Sequence, residues 1–104
     1  MNAKEILEKH RSAKLPSFPY NDDFANWVEE LTDLDGYYYG LVTSLLAGEK
    51  KPYNLNLFQE MRQRLYKFRN LEDDKEVYQE CEEYLKSLEA IVKLIEIKNL
   101  KFFL

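Results

Sequence analysis

The sequence predicts an all-α fold: one domain over residues 1–104, built as a compact bundle of four or five helices around a central uncharged helix at about 36–48. Three observations predict it. Only three glycines and three prolines occur, so long stretches lack helix breakers. Apolar residues recur at intervals of three and four through most of the chain. The thirteen residues from Gly36 to Gly48, GYYYGLVTSLLAG, carry no charge, and a helix that is small or apolar on every face belongs inside a bundle.

Taken in order, Asn2 can cap a first helix to about Ala13, with Ile6, Leu7 and His10 on its inner face. KLPSFPY then breaks it, because Pro16 and Pro19 disfavour helical geometry in the preceding residues. Leu15, Phe18 and Tyr20 are expected to pack. Asn21 or Asp22 caps the next segment, whose stripe Phe24, Trp27, Val28, Leu31, Leu34, Tyr38, Leu41, Leu45 has helical spacing. Gly36 costs about 1 kcal/mol against alanine and Asp35 can act as a fresh cap, so a break or kink is expected there. Gly48 suits a left-handed C-cap.

A further helix over about 56–69 turns Leu57, Phe58, Met61, Leu65 and Phe68 inward. The last, over about 72–98, repeats Val77, Cys81, Tyr84, Leu85, Leu88, Ile91, Val92 and Ile95, with Glu72, Asp73 and Asp74 complementing its N-terminal dipole. The apolar tail LKFFL is expected to dock on the bundle or to form a homodimer seam.

Gly36, Gly40, Thr43, Ser44 and Ala47 fall in one sector of the central helix, a spacing that allows close approach of a second helix. Tyr38 should be the most buried ring. Tyr37 and Tyr39 point to other sides, where they serve either as packing or as aromatic anchors for a partner. LDGYYYGLVTSLLAG with Pro52 beyond it resembles the leucine-aspartate-glycine-aromatic helix of the bacterial YecA/YgfB-like proteins, at Leu34, Asp35, Gly36, Tyr37, Leu45, Ala47 and Gly48. The resemblance covers about a sixth of the chain and lacks the cysteine-rich tail of some members. It implies an all-α fold and no reaction.

Charge narrows the function. The formal net charge of −4 opposes sequence-blind nucleic-acid binding. Lys50 to Arg69 holds six bases against Glu60, whereas Glu72 to Glu83 holds seven acids against Lys75. RQRLYKFRN places Arg62, Arg64, Lys67 and Arg69 among aromatics, the best phosphate-binding candidate, but a hairpin would set these bases against EDDKE. Glu29, Glu30 and Asp33, or Glu76, Glu80 and Glu83, have spacings that can share a divalent cation, as in all-α phosphohydrolases, yet both groups flank the apolar stripes. One cysteine and one histidine exclude an internal disulfide and a familiar zinc site. Cys81 lies in an apolar seam, where burial keeps a thiol inert. No serine or carboxylate constellation is recognisable around His10.

The charged start MNAKEILEKHR is unlike a secretory leader, and no apolar run approaches roughly 20 residues. A cytoplasmic location without membrane contact is therefore expected. The reading that follows is a non-enzymatic protein–protein interaction or regulatory module, of the immunity or antitoxin kind, with another protein as partner and no cofactor. Tyr37, Tyr39, Glu76, Glu80 and Glu83 are its candidate partner contacts. The alternatives are nucleic-acid binding through Arg62, Arg64, Lys67 and Arg69, and a divalent-metal-dependent phosphohydrolase.

Overall fold

The computed structural model of the chain describes residues 2–103, with side chains to residue 97. Four α-helices form: α1 (Ala3–Arg11), α2 (Asp22–Leu46), α3 (Asn56–Leu65) and α4 (Lys75–Phe103). Short 3-10 turns, Tyr66–Phe68 and Glu72–Asp74, join α3 to α4. Among the described residues there is no strand, and no helix is long and apolar enough to cross a membrane. Asn2 and Asn21 cap α1 and α2 through the amides of Glu5 and Phe24, at 2.8 and 3.0 Å. Gly48 closes α2 with φ of 90°, a conformation open to glycine at little cost.

Helix α2 runs through Gly36 without a break, contrary to the expected kink. The reason is the stripe itself. Leu31, Leu34, Tyr38 and Leu41 are all buried on one face, and each fully buried large apolar side chain contributes about 1.5–3 kcal/mol. That outweighs the roughly 1 kcal/mol cost of a helical glycine.

The order of contacts fixes the topology. Asp74 binds the chain entering α2 while Ser87, farther along α4, meets Asp35 through His10, so α2 and α4 run parallel. Helix α1 is antiparallel to α4, because His10 meets Ser87 and the later Ser17 meets Glu80. Helix α3 is antiparallel to α2: Phe58 lies by Tyr38, Met61 accepts from Trp27 Nε1 at 3.1 Å, and Phe68 stacks on Phe24 at 4.5 Å. The core centres on the α2 and α4 pair, with Trp27, Tyr38, Phe24, Phe58, Leu88 and Ile91 fully enclosed.

The segment 36–48 is therefore not enclosed on every side. Val42 and Leu45 are buried, but Gly36, Gly40, Thr43 and Leu46 are exposed. Nothing lies within 4 Å of where a Cβ would stand on Gly36 or Gly40, so among the described residues no second helix packs against them. The absence of charge marked a helix with one bare face. Leu57, expected inward, is also exposed. The tail LKFFL lies outside the described side chains.

Candidate functional site

Residues 12–21 form a strap across the N-terminal end of α4. Its backbone is held by two carboxylates. Asp74, itself buried, accepts the amides of Tyr20 at 2.8 Å and Asn21 at 3.3 Å. Glu80 accepts the Ser17 amide at 2.8 Å, with Lys14 at 3.8 Å, and these contacts, led by the Ser17 amide, hold its carboxyl below the usual value.

Pro16 and Pro19 are buried against the bundle. This reverses the expected packing: Leu15, Phe18 and Tyr20 point outward, at 55%, 69% and 86% exposure. The proline rings fill the interface, and residues between them project to solvent. Exposed acids stand at the same end, on the first turn of α2 (Asp22, Asp23), in the 3-10 turn before α4 (Glu72, Asp73) and at the start of α4 (Glu76). The Tyr66 ring, in the 3-10 turn after α3, is also exposed, with the Arg69 guanidinium 6.0 Å from its centre.

The five residues expected at a partner interface are placed unequally. Tyr37 is 40% exposed, over a cleft of about 340 Å³ between α2 and α3. Tyr39 is half-buried, with its ring 6.5 Å from His10. Glu76 and Glu83 are exposed, whereas Glu80 is committed to Ser17.

The basic segment is paired, but with other partners than expected. Arg64 meets Glu30 at 2.6 Å and Arg62 meets Glu89 at 3.6 Å, while Glu72 pairs with Lys75. Among the described residues no ion pair joins EDDKE to the arginines. Lys67 and Arg69 are exposed. Glu29, Glu30 and Asp33 are exposed too, and among the described residues no three potential metal ligands converge. Cys81 is buried and its thiol is pushed up to about 12.

A polar cluster absent from the sequence reading joins three helices. His10 of α1, 4% exposed, contacts Ser87 Oγ of α4 through Nδ1 at 2.6 Å and the Asp35 carboxylate of α2 through Nε2. Burial first, then the nearby Asp35 carboxylate, raises the Tyr84 phenol above its ordinary value. Since Asp35 only accepts, Nε2 carries the proton, leaving Nδ1 to accept from Ser87 when the ring is neutral. The sequence held one signal for this cluster. Asp35 interrupts the α2 stripe, and Ser87 lies beside Leu88 in the α4 seam, both polar residues at the edge of apolar faces.

Comparison with known proteins returned no match: no family model matches the sequence, and neither a curated protein nor a solved structure is significantly similar. The likeness of Leu34–Gly48 to the YecA/YgfB-like helix thus gains no support as a family assignment.

Proposed function

We propose that the protein is a protein-binding module whose docking surface is the strap end of the bundle, and that its partner presents a basic surface with apolar clefts. The observation that carries this is the outward display of Leu15, Phe18 and Tyr20 on a backbone fixed by Asp74 and Glu80. Large apolar side chains gain about 1.5–3 kcal/mol each on burial, so three exposed together form a surface that a partner can cover. Because the strap is already ordered, little conformational freedom is lost on docking. Aromatic residues in such positions carry much of the affinity of many interfaces.

The surrounding acids supply the charge preference. Asp22, Asp23, Glu72, Asp73 and Glu76 favour Lys and Arg on the partner, and cationic side chains can also rest on exposed rings. This reading keeps the acidic segment but makes Phe18 and Tyr20, rather than Tyr37 and Tyr39, the principal anchors. The test compares partner retention from native lysate by wild type, a Phe18→Ala/Tyr20→Ala variant and a Tyr37→Ala variant. The double variant should keep its melting temperature and lose the partner at least tenfold, while Tyr37→Ala retains it. Equal retention by all three would reject the strap as the docking surface.

A further inference from the structure

We propose that Ser87 is a nucleophile toward small activated acyl groups, with His10 as its general base and Asp35 as the residue that orients the imidazole. The hydrogen-bond order Ser87, His10, Asp35 has the chemistry of nucleophile, base and orienting carboxylate, with the two ring nitrogens exchanged relative to the serine protease arrangement. The Tyr84 ring packs against the imidazole, with ring centres 5.3 Å apart. His10 is nearly sealed from solvent, so in the resting protein its ring stays held between Ser87 and Asp35.

Ser87 is half-buried and lines a cavity of about 260 Å³ with Ile6, Lys9, Glu83, Lys86 and Ala90. That is below the roughly 300 Å³ at which drug-sized pockets begin, so the acyl group it admits is short. Ile6 and Ala90 give it an apolar wall. Ser87 lies inside α4, where backbone amides are committed to the helix, so negative charge on a reacting carbonyl oxygen falls to side chains. Lys9 and Lys86 are the cations at the rim, with Glu83 opposing them.

The reaction is hydrolysis of a short-chain ester. The Ser87 Oγ–H bond breaks as Oγ bonds the carbonyl carbon, and the proton passes to His10 Nδ1. The ester C–O bond then breaks, and the departing oxygen takes that proton. Water next gives a proton to Nδ1 as its oxygen bonds the carbonyl carbon. The bond from that carbon to Ser87 Oγ then breaks, releasing the acid, and Oγ takes the proton back from Nδ1.

The test treats the full chain with a small alkyl fluorophosphonate, and separately with p-nitrophenyl acetate, and maps adducts by tandem mass spectrometry. One adduct on Ser87 is expected in the wild type with each reagent, absent in Ser87→Ala. His10→Gln should slow labelling by about 10²-fold or more, and Asp35→Asn should slow it with the helical circular dichroism spectrum retained. Wild-type labelling alone decides the proposal if a variant does not fold. An unlabelled wild type, adducts confined to lysine or tyrosine, or an undiminished rate in a folded His10→Gln variant would overturn it.

Discussion

The hydroxyl of Tyr38 accepts the backbone N–H of Phe58 at 3.0 Å, so a side chain of α2 caps the start of α3. The same hydroxyl donates to the Asn54 carbonyl at 2.8 Å. Leu55, at the cap position of α3, makes no side-chain cap bond, and Tyr38 takes over that role from another helix. Tyr38→Phe keeps the ring but leaves the buried Phe58 amide without this acceptor. A loss of about 1–3 kcal/mol is expected in urea unfolding. A change below about 0.3 kcal/mol would mean that the cap contributes little.

Asp74 is the buried carboxylate that pins the strap at Tyr20 and Asn21. Asp74→Ala removes a charged acceptor from two amides, for an expected cost of about 2–3 kcal/mol. Amide hydrogen exchange should rise at Tyr20 and Asn21 before the rest of the bundle opens. Unchanged protection there would show that the buried prolines hold the strap unaided.

Much of this architecture is legible in the sequence for a local reason. Caps at Asn2 and Asn21, the α2 stripe from Phe24 to Leu45 and the α4 seam from Cys81 to Ile95 rest on residues within a few positions of each other. The continuity of α2 was misread because Gly36 signals a local cost, whereas the compensating burial comes from other helices. The uncharged 36–48 segment misled differently, since charge patterning cannot distinguish a buried small residue from an exposed one. The candidate sites depend on distant pairings. His10 and Ser87 are 77 residues apart, and Tyr20 and Asp74 are 54 apart. No spacing rule links them, and the outward turn of Phe18 follows only once Pro16 and Pro19 face the bundle.

Gly36 and Gly40 are exposed, helical and unobstructed, so alanine should fit at either. Each substitution is expected to stabilise by about 0.4–1 kcal/mol, mainly by restricting the unfolded chain. Thermal melting checks this. A destabilisation at both sites would restore the close-packing role that their spacing suggests.

Alkaline pH should weaken the fold. Burial raises the Tyr38 and Tyr84 phenols and pushes the Cys81 thiol up to about 12. The folded state thus holds these protons more tightly than the unfolded state, whose groups titrate near about 8.5 for cysteine and 10 for tyrosine. Their contribution is complete below those values and is lost as pH rises through the folded ones. The melting temperature should fall above about pH 9, less steeply in Tyr84→Phe. A flat profile to pH 12 would contradict the burial of these groups. Glu80 acts in the opposite range: its lowered carboxyl contributes above the unfolded value near about 4.3, and that contribution is lost as pH falls through the folded one.

The docking surface is tested most directly by placing a photo-crosslinking benzoylphenylalanine at position 18, and in a parallel protein at position 37, in cells that produce the protein natively. Strap docking predicts one dominant crosslinked protein from position 18, joined through a segment rich in Lys or Arg, and little or none of it from position 37. A partner captured from position 37 and not from 18, or no crosslink at 18 from a folded protein, would contradict it.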